Sequence, residues 1–451
     1  RYNALVSVRH EGSSKFGENN KWGTFPSVSL GWTISNESFM EDATWLSNLK
    51  LRTGYGVTGV IPGDSYRSLV TYTYDPYGKH LSKDGEWTPS LIVGQNPNPD
   101  LKWETTSEVN IGLDWAILNS RINGAIDVYS KKTVDLLYDY AVPVPPNMYE
   151  WTMANVGEMS NKGIEVMINA IAVKTSEFEW NTTLTLSHNE NKLVNLSNDL
   201  YKTDNFVETG GVSDPISVPT HAMEVGHRLG DFWGLRSVGV SKDGFVLVEV
   251  ADGNGGWTVK EFDTKYNEEK NRQRLGNGLP QVYAGWNNSF RYKGFDMNLV
   301  FTGQFGFEIL NVQRSFYENN SIAYNRLKTA ADLYPAIDAT GAAVLDPETG
   351  EQRMVKLSNS MQQGVWSDHI EKGDFVKLTN ATLGYTVPVT GSLKKYIQNL
   401  RLYVAGQNLF CITSYSGLDP EVSNYFLAPG IDDRDKYPTV RSYTFGLTVN
   451  F

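Results

Sequence analysis

The most regular feature of this chain is the alternation of apolar and polar residues, in segments of about ten residues. The last segment shows it best, because its apolar positions lie two residues apart: Tyr443, Phe445, Leu447, Val449 and Phe451. A period of two places successive residues on opposite faces of a strand, whereas a helix repeats about every 3.6 residues. The pattern predicts twelve strands, at residues 2–10, 26–35, 49–57, 105–117, 120–131, 164–173, 178–190, 280–293, 295–305, 375–387, 399–409 and 441–451. It predicts one short helix, at residues 328–334, inside a loop.

The connections between these strands alternate between short and long. The short connections are residues 118–119, 174–177, 294 and 388–398. Residues 36–48 fall on the same side by their place in the alternation, although they are longer than a tight turn. The long side comprises residues 11–25, 58–104, 132–163, 191–279, 306–374 and 410–440. A Greek-key sandwich has no reason to alternate in this way, and soluble domains seldom carry such long loops. The alternation predicts an all-β, transmembrane, antiparallel up-and-down β-barrel with short periplasmic turns and long extracellular loops.

Composition narrows the class of protein further. No apolar run reaches the roughly 18 residues of a membrane helix, although aromatic residues make up 12% of the chain. The net charge of -11 argues against nucleic-acid binding, which needs a basic surface. The single cysteine, Cys411, permits neither an intrachain disulfide nor a cysteine-based metal cluster.

The size of the loops bears on the size of the barrel. Twelve strands could close alone, but loops this long favour the plugged transporter barrels of about 22 strands. The sequence is strand-like from Tyr2, and no charged and apolar export signal precedes it. We therefore expect residues 1–451 to be the C-terminal part of a barrel, with the remaining strands and a plug domain upstream of Arg1.

Several long stretches, in the same order along the chain, resemble SusC/RagA-like TonB-dependent transporters. They are residues 9–16 (RHEGSSKF), 22–27 (WGTFPS), 29–32 (SLGW), 49–59 (LKLRTGYGVTG), 96–108 (NPNPDLKWETTSE), 110–114 (NIGLD), 155–166 (NVGEMSNKGIEV), 287–296 (NNSFRYKGFD), 378–388 (LTNATLGYTVP), 400–410 (LRLYVAGQNLF), 417–421 (GLDPE) and 437–451. The resemblance implies an energy-coupled importer with a 22-stranded barrel, an N-terminal plug and a TonB box. It also implies a SusD-like lipoprotein that covers the extracellular face, and oligosaccharides or oligopeptides as substrates.

Aromatic side chains in the predicted loops are the candidate substrate contacts, because a flat ring can stack on a sugar. The candidates are Trp87, Trp103, Trp151, Trp233, Trp257, Trp366, Tyr72, Tyr74 and Tyr77. For each residue the alternative is packing between loops, against the lid protein, or at the membrane interface. A glycan substrate is favoured over a peptide on the same grounds.

Charged residues on the strands form a second group, predicted to face the lumen or the plug: Arg52, Asp127, Glu165, Arg291 and Arg401. A polar lumen is expected in any such barrel, so these charges do not by themselves indicate a substrate site. The C-terminal residues Tyr443, Phe445, Leu447, Val449 and Phe451 present a lipid-facing ladder. They resemble the signal that outer-membrane assembly machinery reads.

Metal and catalytic sites are not indicated. Relatives carry an acidic, calcium-like loop before the strand near residue 282, whereas this chain has residues 265–278 (KYNEEKNRQRLGNG) there. Residues 252–256 (DGNGG) indicate a turn, and the oxygen-ligand spacing of an EF-hand-like site is missing. A glycosidase needs two carboxyl groups that face each other across a cleft, and the spacing of paired carboxylates such as Asp432 and Asp433 does not indicate one. We predict no cofactor, with calcium in the loops as the alternative, and no enzymatic activity. The alternative function is a soluble all-β carbohydrate-binding or adhesion module.

Overall fold

The computed structural model describes residues 1–198, 202, 205–320, 324–359, 364–422 and 427–451. Twelve long strands follow one another in the hydrogen-bonding order in which they occur along the chain. They are β1 (Tyr2–Gly12), β2 (Trp22–Thr33), β3 (Leu46–Val60), β4 (Glu104–Ile117), β5 (Ile122–Val134), β6 (Glu158–Lys174), β7 (Phe178–Asn195), β8 (Val282–Tyr292), β9 (Phe295–Phe305), β10 (Phe375–Val387), β11 (Asn399–Thr413) and β12 (Ser442–Asn450). The twelve predicted strands are thereby confirmed, and the bounds of β9 and β10 agree to the residue.

The chain divides into two compact units. The first comprises Arg1–Val166, Asn189–Phe206 and Glu224–His227, and the second comprises Met167–His188, Val207–Met223 and Arg228–Phe451. In the first unit β1 to β5 pair antiparallel in sequence. In the second unit β8 to β12 do the same. Each unit therefore contains a run of meander strands without crossovers.

The long loops contain secondary structure of their own. Their short strands are Thr71–Leu81, Trp87–Gln95, Leu137–Ala141, Trp151–Asn155, Phe206–Thr209, His221–Glu224, Asp231–Gly234, Ser237–Val240, Val246–Ala251, Trp257–Glu261, Gln273–Asn277, Glu308–Asn311, Tyr334–Pro335, Met354–Val355, Ile370–Lys372 and Ile431–Asp432. The one α-helix of the described residues is Val312–Tyr317, and 3-10 turns occur at Ile34–Asn36, Ser38–Met40, Thr264–Tyr266, Glu269–Asn271, Lys328–Ala331, Ser367–His369 and Gly391–Lys395. The helix predicted at residues 328–334 is reduced to the 3-10 turn Lys328–Ala331. No helix within the described ranges is both long enough and apolar enough to cross a membrane.

The long strands carry apolar side chains on one exposed face. In the first unit Ile111 lies opposite Val128, and both are exposed. In the second unit Leu402 lies opposite Leu447, and Phe445 is 81% exposed. An apolar surface that extends across neighbouring strands is unfavourable in water and is typical of the hydrocarbon-facing side of a membrane barrel.

Hydrophobic cores form in the loops. One cluster in the second unit contains Phe232, Leu310, Val312 and Phe316, all buried. A second cluster there contains Leu235, Val248, Phe262 and Trp366. In the first unit Phe16, Phe25, Leu101 and Trp103 are buried together. Burial of these side chains lets loops of this length hold a defined structure, because the buried apolar area offsets the entropy of ordering the chain.

Candidate functional site

An exposed hairpin in the first unit brings four of the predicted aromatic contacts together. Its strands Thr71–Leu81 and Trp87–Gln95 pair so that Tyr72 faces Val93, Tyr74 faces Leu91, and Leu81 faces Trp87. Tyr72 and Tyr74 are two residues apart, so they lie on one face of the hairpin. Tyr77 is 94% exposed, and the other three rings are about two-thirds exposed. The hairpin therefore presents a row of aromatic rings that a ligand can reach.

Two other candidates in the first unit have different surroundings. Trp103 is only 8% exposed, and its ring lies 4.7 Å from Phe16 and 5.1 Å from Phe25, measured between centroids. Its indole nitrogen donates to the carbonyl of Lys21 at 3.3 Å. Trp103 therefore has the loop-packing role given above as the alternative. Trp151 is exposed at the start of Trp151–Asn155, and its backbone carbonyl accepts from the side-chain amide of Asn96 at 3.1 Å.

The three tryptophans of the second unit also differ from one another. Trp366 is 5% exposed and packs against Phe262 and His369, so it too belongs to a loop core. Trp233 is half-buried on Asp231–Gly234. Trp257 is exposed at the start of Trp257–Glu261 and is available to a ligand.

Arg52 organises the charges on β3, β4 and β5. Its guanidinium donates to both oxygens of Asp114 at 2.8 Å and to both oxygens of Asp127 at 3.0 Å. Arg52 lies opposite Gly112 on β4, and Gly112 lies opposite Asp127 on β5. A Cβ on Gly112 would be 2.4 Å from the carboxylate of Asp127 and 2.7 Å from Cζ of Arg52. Because Gly112 has no side chain, the Arg52 side chain can pass over β4 and reach Asp127 on β5.

The second unit repeats this arrangement. Arg401 on β11 donates to Asp296 on β9 at 2.9 Å, and a Cβ on Gly384 of β10 would lie 2.4 Å from Arg401. Arg291 on β8 lies directly opposite Asp296. Two of the predicted charges, Arg291 and Arg401, thus flank one carboxylate. Glu165 is exposed on β6 in the first unit.

The GLDPE stretch has a structural role in the second unit. Lys377 on β10 is 3% exposed, and its ammonium donates to Asp419 at 3.1 Å and to Glu421 at 2.6 Å. Burial alone would raise the pKa of Asp419, but hydrogen bonds from Thr439, the Glu421 backbone and Lys377 hold that pKa below its usual value. These contacts tie the loop after β11 to the beginning of β10.

The side chains of the C-terminal ladder lie mostly exposed on β12. Tyr443, Phe445 and Leu447 are exposed, Val449 is partly exposed, and Phe451 follows the last residue of β12. Its role as an assembly signal stays a prediction. In the loop at residues 252–256, Asp252 accepts from the backbone of Asn254 at 2.7 Å and so closes a turn. The described residues contain no group of three or more side chains that could hold a metal ion, and the expectation of no calcium stays a prediction.

A loop cavity in the second unit contains residues that the sequence did not indicate. It has a volume of about 260 Å³ and is lined in part by Trp366, which was predicted as a candidate contact. The lining residues that the sequence did not indicate include Arg314, Glu318, Tyr334 and His369. Arg314 donates to Glu318 at 3.1 Å. Burial, and secondarily the charge of Arg314, lowers the pKa of His369 to about 3. Arg314, Glu318, Tyr334 and His369 come from segments that carry no regular pattern, so no sequence signal could have grouped them with Trp366.

Comparison with known proteins identifies the family. Residues 1–248 match the protein family that is described as "TonB dependent receptor-like, beta-barrel". TonB-dependent receptor P3 of Formosa agariphila is 31% identical over the whole chain, and TonB-dependent receptor SusC of Bacteroides thetaiotaomicron is 32% identical over the whole chain. The structure of the RagAB peptide transporter superposes on all of the chain with a TM-score of 0.80 at 24% identity. The chain spans 44%, 42% and 46% of these three proteins, respectively. The resemblance stated above is confirmed, and the chain belongs to the TonB dependent receptor-like β-barrel family of outer-membrane proteins.

Proposed function

We propose that this chain is the barrel part of an importer that takes up oligosaccharides or oligopeptides across the outer membrane, with energy delivered through TonB. The observation that carries the proposal is the whole-chain similarity to the receptor SusC, at 32% identity. The exposed apolar ladder of β12 supports it, because this face suits outer-membrane lipid. The alternative, a soluble carbohydrate-binding or adhesion module, would leave Phe445 and Leu447 in water.

The partners belong to the same proposal. The chain spans less than half the length of the relatives it matches, so the remaining strands and a plug that contacts the TonB complex are proposed to complete it. A SusD-like surface lipoprotein is proposed to cover the extracellular loops, as the resemblance to SusC/RagA-like transporters implies. We propose that the charges around Arg52 and Arg401 contact the plug. No nucleic acid is expected as a partner.

The substrate class is proposed from the exposed loop aromatics. The hairpin face with Tyr72 and Tyr74, together with Trp87, offers flat apolar rings. Such rings stack on the apolar faces of sugars, and successive sugar units of an oligosaccharide can make the same contact with successive rings. Trp257 offers a further exposed ring. We therefore favour an oligosaccharide over an oligopeptide.

The test begins with the full-length protein in its native membrane. We expect it in the detergent-extracted outer membrane, with a gel mobility that changes on boiling, as for a folded barrel. Cells should take up labelled oligosaccharide only when both this receptor and TonB are present. Solubility without detergent, or uptake that persists without TonB, would contradict the proposal. Uptake of labelled oligopeptide instead would overturn the choice of glycan while leaving import intact.

A further inference from the structure

The lipid-facing side of β1 and β2 carries an aromatic pair at each end. Tyr2 lies opposite Trp32 at one end, and the rings of His10 and Trp22 stack at a centroid distance of 5.0 Å at the other. The exposed apolar residues between the two pairs on this side include Val6, Val8, Val28 and Leu30. Tyr2 and His10 are eight positions apart, which is roughly 27 Å along a strand and about 21 Å of height at a tilt of about 40°. The apolar band of an outer-membrane barrel is about 25 Å tall, so each pair marks one boundary of that band.

The connection after β2, residues 34–45, is attached to the boundary at Tyr2 and Trp32. In the alternation of short and long connections it belongs to the periplasmic set, so this boundary is the inner one. Glu37 is only 9% exposed, and its carboxylate accepts from the Tyr2 hydroxyl at 2.9 Å and from the Trp32 indole nitrogen at 3.0 Å. Both rings occupy lipid-facing positions, so these bonds hold the start of the connection on the lipid side of the barrel wall.

The connection is ordered, and it presents two large apolar side chains. It consists of 3-10 turns at Ile34–Asn36 and Ser38–Met40, followed by a backbone that is locally hydrogen-bonded up to β3. Phe39 and Trp45 are each about two-thirds exposed. The backbone nitrogen of Leu118, in the next short turn, donates to the carbonyl of Trp45 at 3.1 Å, and the Leu118 side chain is exposed as well. Three exposed apolar side chains therefore lie at the inner end of the first unit.

The surroundings of these side chains favour phospholipid as their partner. The Glu37 contacts make the connection continuous with the lipid-facing surface, and aromatic rings are enriched at the boundary between headgroups and acyl chains. Glu41 and Asp42 lie between the two aromatic residues in sequence, and both are exposed. A carboxylate is disfavoured in the middle of the hydrocarbon and tolerated near the interface. The connection therefore suits the boundary between headgroups and acyl chains rather than the interior of the bilayer.

We propose that residues 34–45 form a membrane anchor, in which Phe39 and Trp45 insert between the headgroups and the adjoining acyl segments of the phospholipid leaflet that faces the periplasm. The inference goes beyond import, because such an anchor sets the height at which the barrel wall sits in the membrane. It depends on the barrel fold of the family and on the contacts of Glu37, and it holds for any substrate.

The test measures the depth of a fluorophore on the full-length receptor in phosphatidylcholine nanodiscs, where both faces of the bilayer are accessible. Phe39→Cys and Trp45→Cys are labelled with the fluorophore NBD in a background that carries Cys411→Ser and serine at any upstream cysteine. A nitroxide on the lipid headgroup should quench most of their emission, whereas a nitroxide near the acyl end and iodide in the water should each quench little. Tyr77→Cys is the matched control, because it labels an exposed aromatic position on the extracellular hairpin. Its label should be quenched by iodide and by neither nitroxide.

Three results of this measurement would overturn the anchor. Quenching of either label by iodide alone would place the connection in water, and resistance to all quenchers would show that another part of the protein covers it. Strongest quenching by the deep nitroxide would place it inside the apolar band. Heat-modifiable gel mobility verifies that each labelled protein is folded.

A second measurement needs no label. The double variant Phe39→Ser with Trp45→Ser should lose its heat-modifiable mobility in nanodiscs at a lower temperature than Tyr77→Ser does, because it loses contacts with lipid. Equal temperatures for the two proteins would also contradict the anchor. Neither measurement involves uptake, so failure of the anchor and failure of import are distinguishable.

Discussion

Replacing Gly112 by alanine tests how the charges on β3, β4 and β5 are held in place. The new Cβ would lie 2.4 Å from the carboxylate of Asp127 and 2.7 Å from Cζ of Arg52. The two hydrogen bonds from Arg52 to Asp127, both 3.0 Å long, therefore cannot persist. Charge-assisted bonds contribute about 1.5–3 kcal/mol each, but these side chains are 33% and 21% exposed. We expect a loss of about 1–2 kcal/mol in total after this exposure is taken into account.

Gly54→Ala provides the matched control on the neighbouring strand. A Cβ there would meet only Val28 O at 3.7 Å and Ser29 Cβ at 3.9 Å, which are ordinary contacts. The measurement is the temperature at which the full-length protein loses its heat-modifiable gel mobility in detergent. Gly112→Ala should lower it by roughly 2–5 °C, and Gly54→Ala should leave it nearly unchanged. Equal midpoints for the two variants would refute the reasoning. So would an additive effect of Gly112→Ala and Asp127→Asn, because both changes act on the same pair.

Three further predictions concern the loops. Lys377→Met should destabilise the protein by about 3–5 kcal/mol, because it leaves the buried carboxylate of Asp419 without its cation. Chemical denaturation should show that the double variant with Asp419→Asn regains part of the lost stability, and no regained stability would contradict the buried pairing. His221 is fully buried, and burial lowers its pKa to about 4. As the pH falls, the histidine therefore takes up a proton in the unfolded chain before it does so in the folded protein. The contribution of neutral His221 to stability is fully present above about pH 6.5 and is lost as the pH falls towards 4. His221→Asn should flatten this part of the profile of stability against pH, and an unchanged profile would contradict the role of His221. Trp87→Ala should leave the thermal midpoint unchanged but reduce uptake of labelled oligosaccharide, whereas Trp103→Ala should cost about 3–5 kcal/mol of stability. Equal effects of the two changes on stability would contradict the assignment of Trp87 to the exposed hairpin and of Trp103 to a loop core.

The strands could be predicted from the sequence because a period of two is a local property. Strands β9 and β10 match the predicted bounds, and the alternation of short and long connections is that of a membrane barrel. The family confirms the all-β barrel, and it is a family of receptors rather than enzymes. Local patterns also located Arg52 and Arg401 on the strands.

The contacts within the loops could not be predicted, because they join residues far apart in sequence. His369 and Arg314 meet at the cavity although 55 positions separate them, and neither lies in a periodic segment. The burial of Trp103 and Trp366 likewise depends on partners, Phe16 and Phe262, that are distant along the chain. The pairing of Arg52 with Asp127 requires strand register, since only register reveals that a glycine lies between them.

The loop cores described above also bear on how the protein withstands digestion outside the cell. A protease needs several consecutive residues in an accessible, extended and unpaired form before it can cut. The loop strands between His221 and Asn277 engage most of their backbone in short sheets, and several of their side chains are buried. The hairpin Thr71–Leu81 and Trp87–Gln95 is mainly exposed, and its tip lies in solvent. We therefore expect brief protease treatment of intact cells to cut first at residues 82–86, within the same hairpin whose aromatic rings are proposed to contact the substrate.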